Sequence, residues 1–472
     1  MVNVAIIGAY GSAGVAAAEE LLDAHDTGHL PNLELSLIDD GDPPGGLCIL
    51  RGCMPSKDVL SAGAHRFQSR HDTRLTGVPT VDPASVVARK DAHVDGFAGH
   101  RQAAVDEMAD LDHVTLYRQP GAFIDEHTLR VGDETIEADY VIVATGSVPN
   151  IPAIPGIDAI DLLTSADVLD MTEFPDHAIV VGLGFIGLEL IPYLVEVGGT
   201  EVTVFDRNEH PLSDVDRAFG ETMLELYRDL FGVDIRTSIE PTEVTEHEDG
   251  IELTYEGNDG EETVTGDALI VFTGRTPNLD RVHLGDIGID TEQALVTDTM
   301  QTVRHPHVFI VGDANNREPI LHVAKEEGIT AARNVIRLEA GKTMETYDPL
   351  VHRIIFSGLG IYPFAHLGHT VESAKEAGID SIEVTRRAER DGVFKTKDVP
   401  EGLATLVVDA QSSRVIGYQG LHHHADVFAK TMQIVIELGL RVDELPDRAY
   451  HPTTPELLDG LIREASARLA EA

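Results

Sequence analysis

Apolar segments along the chain form a repeated pattern of strand, glycine turn and helix. V-A-I-I at 4–7 predicts a buried strand, and V-A-A-A-E-E-L-L at 15–22 predicts a helix of good helix formers. The segment A-I-V-V-G-L-G-F-I-G-L-E-L at 178–190 repeats this order. Each unit precedes a strand with an acidic end, L-E-L-S-L-I-D-D at 33–40 and E-V-T-V-F-D at 201–206. This layout predicts two dinucleotide-binding units, with a pyrophosphate at each helix N-terminus and a carboxylate on each ribose.

The two glycine strings differ in spacing. The second string has the regular G-x-G-x-x-G register: Gly182, Gly184 and Gly187. The first has Tyr10 and Ala13 where glycines are expected, and a one-residue insertion restores the pattern: Gly8, Gly11 and Gly14. We predict two working nucleotide sites, the alternative being one site and one decayed copy.

The rest of the chain adds further strands and a change of pattern. Y-V-I-V-A-T-G-S-V-P at 140–149 and A-L-I-V-F-T-G-R-T-P-N at 268–278 each predict a buried strand followed by a connector. H-V-F-I-V-G-D-A at 307–314 predicts another strand, with a helix starting near Leu321. From about 346, strand-like runs followed by helices predict a separate α+β domain. The predicted fold class is α/β, with two Rossmann-like domains and a C-terminal α+β domain.

The charge balance is extreme, with 35 basic against 81 acidic residues and a net charge of −46. Nucleic-acid binding requires the opposite sign, because it depends on neutralising phosphates. At molar salt the Debye length falls to ~3 Å and self-repulsion is screened, so the composition predicts a salt-loving source; an acidic mesophilic protein is the alternative. Apolar runs of ~18 residues and a basic leader are both missing, which predicts no membrane partner and a cytoplasmic location.

Cys48 and Cys53 are the only cysteines in 472 residues, and they lie five positions apart. Two cysteines cannot build a disulfide framework, and a cytosol would not maintain one. A metal site would need further soft ligands, and none lie at suitable spacing. Chance pairing of two buried thiols is the remaining alternative, and a redox-active pair is favoured.

The ordered motifs resemble those of the flavin-dependent pyridine nucleotide–disulfide oxidoreductases, such as glutathione reductase, dihydrolipoamide dehydrogenase and mercuric reductase. The matching segments are G-G-x-C-x-x-x-G-C-x-P-S-K at 45–57, A-T-G-S-x-P at 144–149, G-x-G-x-x-G-x-E at 182–189, G-R-x-P-N at 274–278, G-D at 312–313 and H-P-T-x-x-E at 451–456. The resemblance implies FAD and NAD(P)H as cofactors and a homodimer. It also implies four segments: an FAD domain at 1–150 and 277–345, an NAD(P) domain at 151–276 and a dimer-interface domain at 346–472.

The resemblance further implies the catalytic residues. Cys53 would face the flavin as the charge-transfer thiolate, and Cys48 would exchange with a disulfide substrate. His451, oriented by Glu456 and supplied by the partner subunit, would hold the proton that Cys48 releases.

A second set of residues would surround the cofactors. Lys57 would pair with Glu189 beside the flavin, and Asp40 would bind the FAD ribose, with Asp39 a close competitor. The remaining FAD residues implied by the motifs are Gly8, Gly11, Gly14, Gly46, Thr145, Gly146, Gly312 and Asp313. Those implied for the nicotinamide cofactor are Gly182, Gly184, Phe185, Gly187, Asp206, Arg207 and Gly274. Asp206 favours NADH because it would repel a 2′-phosphate, whereas Arg207 leaves NADPH open.

The substrate is the least determined feature. Ala449 stands where dihydrolipoamide dehydrogenases usually carry a second histidine, and the C-terminal cysteine pair of mercuric reductases is missing. We therefore expect a small-molecule disulfide, with bis-γ-glutamylcystine favoured because salt-loving archaea generally use γ-glutamylcysteine. Lipoamide, Hg(II) and a non-catalytic flavin sensor remain alternatives. The three histidines at 422–424 could suggest a metal, but consecutive side chains do not converge on one ion, so an interface loop is favoured.

Overall fold

The computed structural model describes residues 1–257, 260–291, 293 and 295–471. The chain forms two compact units, each built from three segments. The first unit comprises Met1–Pro55, Arg89–Asn150 and Arg275–Pro349. The second comprises Ser56–Ala88, Ile151–Gly274 and Leu350–Ala472. The four-segment division made from the sequence remains a prediction.

The strands of the described residues are short and follow one another in chain order. They are Val2–Ile7 (β1), Leu33–Ile38 (β2), Val114–Tyr117 (β3), Gly121–Asp125 (β4), Thr128–Val131 (β5), Glu134–Glu137 (β6), Tyr140–Val143 (β7), Ser147–Pro149 (β8), His177–Val181 (β9), Glu201–Asp206 (β10), Asp234–Thr237 (β11), Pro241–His247 (β12), Gly250–Gly257 (β13), Gly260–Gly266 (β14), Ala268–Val271 (β15), Arg275–Pro277 (β16), Val308–Ile310 (β17), His352–Ile355 (β18), Phe364–Gly368 (β19), Ser381–Arg387 (β20), Leu403–Asp409 (β21) and Val415–Leu421 (β22).

The α-helices of the described residues range from four residues to 27 residues. They are Ser12–Asp26 (α1), Leu47–Leu50 (α2), Cys53–His71 (α3), Pro83–Ala109 (α4), Ser165–Leu169 (α5), Phe185–Tyr193 (α6), Arg217–Phe231 (α7), Leu321–Glu339 (α8), Val371–Glu376 (α9), Gly392–Thr396 (α10), Ala425–Glu437 (α11) and Glu456–Glu471 (α12). The helices predicted after the two glycine strings and near Leu321 are confirmed as α1, α6 and α8.

A five-stranded parallel sheet organises the first unit, in the order β17-β7-β1-β2-β3. Alternate residues of β1 face opposite sides, so Val4 and Ile6 join one buried cluster whereas Ala5 and Ile7 join another. Covering both faces explains why these strands are almost continuously apolar. The carboxyl ends of parallel strands share one edge, which brings the segments after β1, β2, β7 and β17 together.

The second unit contains two main sheets. One is a parallel sheet in the order β11-β10-β9-β15, which is the second dinucleotide unit. The other is an antiparallel sheet in the order β18-β19-β22-β21-β20. One buried apolar cluster includes side chains of both, such as Val180 of β9 and Phe364 of β19. The predicted α/β class with a C-terminal α+β region is therefore confirmed.

Pro192 lies inside α6. Proline has no N–H, so the carbonyl of Leu188 four residues earlier loses its usual helical donor. The hydroxyl of the buried residue Tyr227 donates to that carbonyl instead. The next turn, Leu194–Gly198, is a π-helix. Tyr227 thus satisfies the backbone beside Glu189 and preserves the helix that carries this carboxylate.

Candidate functional site

The first glycine turn connects β1 to α1 and is tightly constrained. Gly8 has φ 97°, and a Cβ there would lie 2.4 Å from the Ala144 carbonyl oxygen. A Cβ on Gly14 would lie 2.3 Å from the Gly8 carbonyl oxygen. Gly11 is the N-cap of α1. Only glycine therefore fits positions 8 and 14, and the N-terminus of α1 stays open to an anion.

The acidic pair after β2 divides into two environments. Asp39 accepts hydrogen bonds from the backbone N–H groups of Tyr10 and Gly41, both at 2.8 Å. Burial raises the pKa of Asp39, although these two hydrogen bonds oppose the shift. Asp40 is exposed and forms an ion pair with Arg281 at 2.5 Å. Asp39 therefore supports the glycine turn, whereas Asp40 has the exposure that a ribose ligand requires.

The two cysteines lie on two consecutive helices, and both belong to the first unit. Cys48 is in α2 and Cys53 is the first residue of α3, and both side chains are half-buried. Gly46, with φ 74°, packs on the glycine turn, because its Cβ would lie 2.9 Å from Gly11 Cα. A Cβ on Gly52 would lie 3.2 Å from Cys48 Cα. Gly46 therefore holds the cysteine segment against the first nucleotide turn, and Gly52 lets the backbone pass close to Cys48. The N-terminus of α3 favours a thiolate at Cys53.

Arg101 is a residue near Cys48 that the sequence analysis did not identify. Its guanidinium donates a 3.0 Å hydrogen bond to the Tyr10 carbonyl, which lies beside Gly46. Burial lowers the pKa of Arg101, and the negative charges of Glu19 and Cys48 oppose the shift. A half-buried cation near Cys48 stabilises its thiolate form. Only the fold could reveal Arg101, since it lies in the middle of α4, far along the chain.

Three quoted motifs meet at the carboxyl edge of the first sheet. Ser147 donates a 2.7 Å hydrogen bond to Asp313, and Arg275 donates to the hydroxyl and carbonyl of Ser147 at 2.8 and 2.6 Å. Burial lowers the pKa of Arg275, and the Asp313 carboxylate opposes this shift. Ser147 and Arg275 belong to the A-T-G-S and G-R-x-P-N motifs, yet only their neighbours Thr145, Gly146 and Gly274 were predicted as site residues. Both residues could have been predicted as site residues, because they are fixed letters of these motifs.

A buried carboxyl group supports the G-D motif from α8. Glu327 accepts hydrogen bonds from the Gly312 N–H at 2.7 Å and from the Asn315 amide at 2.8 Å. Burial raises the pKa of Glu327 to about 7, against the lowering effect of those two donors. This interaction fixes the backbone at Gly312, and hence the position of Asp313.

The second glycine turn, between β9 and α6, repeats the geometry of the first. Gly182 has φ 104°, and a Cβ there would lie 2.6 Å from the Phe272 carbonyl oxygen. A Cβ on Gly187 would lie 2.5 Å from the Gly182 carbonyl oxygen. Gly184 is exposed, and a Cβ there would meet only open space. The backbone can therefore approach a ligand closely at Gly184.

The residues beside the second turn are exposed in the way that a coenzyme site requires. Asp206 accepts hydrogen bonds from the Leu183 and Asn208 N–H groups at 2.7 and 2.8 Å. Arg207 is exposed, and Phe185 is 44% exposed at the start of α6. Asp206 therefore accepts hydrogen bonds from the backbone of its turn, as Asp39 does in the first turn. These bonds do not distinguish NADH from NADPH, so the preference stays open.

Lys57 and Glu189 form an ion pair within the second unit. The Lys57 ammonium lies 3.1 Å from Glu189 Oε1 and 4.3 Å from the centre of the Phe356 ring. The Phe356 N–H also donates to Glu189 Oε1, at 3.0 Å. Lys57 lies one helical turn after Cys53 on α3, so both residues occupy one face of that helix. Phe356 is a further site residue that the sequence analysis missed.

The H-P-T-x-x-E motif begins on the surface of the second unit. His451 is exposed, and Glu456 is the half-buried first residue of α12. Within the described part of the chain, no hydrogen bond joins these two side chains. Tyr450, directly before His451, is 88% exposed.

The geometry defines a class of protein: two dinucleotide turns combined with a half-buried cysteine pair suit a redox enzyme that moves electrons between a nucleotide and a dithiol. Residues 2–328 match the family described as pyridine nucleotide-disulphide oxidoreductase, and residues 353–461 match its dimerisation domain. The chain belongs to this family of FAD-dependent enzymes, which use NAD(P)H. The dimerisation domain indicates a homodimer.

Similar proteins differ in activity. Dihydrolipoyl dehydrogenase of Haloferax volcanii is 28% identical over 91% of this chain and 90% of its own length. Mercuric reductase of Staphylococcus aureus is 28% identical over 94% of this chain and 78% of its own length. Among solved structures, the HOCl-induced flavoprotein disulfide reductase RclA from Escherichia coli has a TM-score of 0.81 at 22% identity, covering 98% of this chain and 99% of that chain. That likeness supports the fold alone.

The residues of the first unit fit the FAD cofactor of the family. The Thr145 hydroxyl is buried and has no hydrogen-bond partner among the described residues. Next to it, a Cβ on Gly146 would meet only open space. A bound polar cofactor would supply the hydrogen-bond partner that this buried hydroxyl lacks.

No helix in the described ranges is long and apolar enough to cross a membrane.

Proposed function

We propose that this enzyme reduces a small-molecule disulfide with electrons from NAD(P)H through Cys48 and Cys53. The observation that carries the proposal is the packing of the segment with the sequence's only two cysteines against the first glycine turn, through Gly46. FAD, when bound, supplies two-electron transfer between a hydride donor and a dithiol.

The thiol chemistry takes place in two exchanges. The Cys48 thiolate attacks one sulfur of the substrate R–S–S–R′, which breaks the S–S bond and releases R′S⁻. Cys53 then attacks Cys48 in the mixed disulfide, which forms the Cys48–Cys53 bond and releases RS⁻. His451 delivers a proton to one departing thiolate and water supplies the proton for the other. The dithiol is thus oxidised by two electrons as the substrate becomes two thiols.

The protein residues stabilise the charges in these exchanges. Arg101 favours the Cys48 thiolate, and the N-terminus of α3 favours the Cys53 thiolate. Lys57, held by Glu189 and Phe356, would place a cation beside the flavin, where it stabilises the reduced form. Asp313, positioned by Ser147 and Glu327, would hold the FAD side chain.

We propose bis-γ-glutamylcystine as the substrate, in a cytoplasm with high salt. The net charge of −46 supports a salt-rich setting, and similar proteins occur in salt-loving archaea. The second candidate is lipoamide, favoured by the named activity of Haloferax volcanii dihydrolipoyl dehydrogenase. Against lipoamide stands Ala449, two residues before His451.

A turnover comparison tests the substrate. Purified holoenzyme is assayed in molar KCl with bis-γ-glutamylcystine, glutathione disulfide, lipoamide and Hg(II), each with NADH and NADPH. We expect the highest kcat/KM with bis-γ-glutamylcystine. A higher value with lipoamide would transfer the assignment to the second candidate, and inactivity with all four would overturn the proposal.

We also propose that His451 acts on Cys48 of the partner subunit. Neither C48S nor H451A homodimers would then reduce disulfides, but mixed dimers would regain one intact site. Activity that reappears after subunit exchange between the two variants supports a shared site. Activity that stays absent in verified mixed dimers would contradict it.

A further inference from the structure

The three histidines at 422–424 make three separate contacts within the second unit. His422 Nε2 lies 2.9 Å from the Tyr418 hydroxyl, and His423 Nδ1 lies 3.2 Å from the Ile361 carbonyl oxygen. His424 Nδ1 lies 3.2 Å from the Thr454 hydroxyl. The three rings therefore bond to three different partners and share none. Burial lowers the pKa of all three, to about 4 for His422 and His423, so they serve as neutral hydrogen-bonding groups.

His424 holds an unfavourable backbone conformation. It is the N-cap of α11 with φ 69° and ψ 18°, in the left-handed region that favours glycine. Its ring is tilted by 31° against that of His423, with ring centres 3.8 Å apart. A strained residue persists where its side chain has a role that glycine cannot fill. The contact with Thr454 is such a role.

Thr454 anchors the segment that carries His451. Residues 448–453 are all exposed, whereas Thr454 is only 5% exposed. Helix α12 begins two residues later, at Glu456. Thr454 is therefore the first buried side chain after His451, and its hydroxyl contacts His424. Helix α12 adds contacts on the other side of His451, where Arg463 donates to the Asp447 carbonyl and Asp459 bonds to the Ala449 backbone.

We propose that His424 is a positioning residue, which fixes the His451 segment through its hydrogen bond to Thr454. This inference rests on the proposed function, because it assumes that His451 carries the proton in disulfide exchange. Loss of this hydrogen bond should increase the mobility of the His451 segment and leave both glycine turns unchanged. The oxidative half-reaction should therefore slow while reduction by NADH continues.

Two substitutions at position 424 separate positioning from backbone strain. H424G removes the strain and the hydrogen bond together. H424N tolerates the left-handed conformation and keeps a polar atom at the branch position of Nδ1, so it preserves the contact. The control S413G relaxes another left-handed residue, with φ 60°, in the same antiparallel region.

The measurement is stopped-flow reoxidation of NADH-reduced holoenzyme by bis-γ-glutamylcystine and by lipoamide. We expect H424G to reoxidise about tenfold more slowly, with flavin reduction by NADH unchanged and an equal or higher Tm. H424N and S413G should reoxidise at the wild-type rate. Equal rates in H424G and wild type, or equal losses in H424G and H424N, would overturn the inference.

Thr454 provides a second test from the other side of the hydrogen bond. T454V keeps the shape without the hydroxyl, whereas T454S keeps the hydroxyl. We expect T454V to match H424G, T454S to match wild type, and the H424G/T454V double variant to be no slower than either single variant. Additive losses would contradict the inference. The H451A variant separates the positioning role of His424 from the proposed function. If H451A is reoxidised at the wild-type rate, the proposed function itself fails.

Discussion

The two glycine turns use one geometry with different surroundings. Gly8 and Gly182 have nearly equal φ values, 97° and 104°, and each faces a carbonyl oxygen of a neighbouring strand end. Asp39 and Asp206 each accept a hydrogen bond from a backbone N–H of their turn. This repetition shows that the acidic residue at the end of the second strand stabilises the turn itself.

The difference lies in how firmly each turn is held. The first turn contains the additional residue Tyr10, whose hydroxyl contacts Arg118 at 2.5 Å and whose carbonyl accepts from Arg101. The second turn leaves Gly184 exposed beside an exposed Phe185. We interpret the first as a fixed site for a permanently bound cofactor. The second suits a coenzyme that binds and leaves.

The largest expected effect comes from adding a methyl group to each turn. G8A should yield protein without FAD. G182A should keep FAD, but its flavin should be reduced by NADH at least about 100-fold more slowly. Both effects are expected because each new Cβ atom meets a backbone oxygen at a residue with positive φ. The absorbance spectrum and stopped-flow reduction measure these outcomes. G28A is the control, since Gly28 has φ 77° but open space around it. FAD loss from G182A alone would reverse the assignment of the turns.

The next effect concerns the pH dependence of the first unit. The folded-state pKa of Glu327 is raised to about 7 from an ordinary value of 4.5, so the folded protein binds this proton more tightly than the unfolded chain does. Its contribution to stability is therefore complete below about pH 4.5 and is lost as the pH rises to about 7. The loss is at most about 3 kcal/mol in the free energy of unfolding.

E327Q isolates this contribution, because glutamine keeps an acceptor for the Gly312 N–H but does not titrate. Denaturant unfolding of both proteins in molar KCl across this pH range should show wild type falling relative to E327Q as the pH rises. Parallel curves would indicate that Glu327 titrates alike in both states.

A smaller effect is expected for Arg101, which distinguishes the first turn from the second. In a C53S background Cys48 is the only thiol, so the rate of iodoacetamide alkylation reports on Cys48 alone. R101M should move the pH profile of alkylation upward by about one unit, because a nearby cation is lost. R101K should largely restore it. R89M, an exposed position on the same helix, is the control; an equal shift there would point to general surface charge.

The smallest expected effect concerns the second turn. If Arg207 meets a 2′-phosphate, R207A should lower kcat/KM for NADPH about fivefold and leave that for NADH unchanged, because an exposed ionic contact contributes little. Steady-state kinetics with both coenzymes measures the ratio. An unchanged ratio would leave Asp206 as the determinant and favour NADH.

The sequence predicted the parts of the site that depend on local spacing. The glycine turns, the strands before them and the start of α8 near Leu321 all follow from short-range pattern, and the structure agrees. It could not predict Arg101 or Phe356, since both reach their partners through long-range packing. Neither could it separate Asp39 from Asp40, because adjacent residues at a strand end differ only in the direction their side chains take.

The role of 422–424 shows the same limit. Consecutive histidines argued against convergence on one ion, which is a local argument. The contact between His424 and Thr454 joins residues thirty positions apart and is visible only once α11 and α12 are in place. Residues that contact a motif from a distant part of the sequence can therefore be identified only once the fold is known.

Anaerobic reduction of the FAD-loaded protein with dithionite tests the central claim most directly. Wild type should take up four electrons per FAD before the flavin is fully bleached, two for the flavin and two for the Cys48–Cys53 disulfide. C48S/C53S should take up only two. Complete bleaching of the wild type after two electrons would show that the cysteine pair exchanges none with the flavin, and would contradict the account.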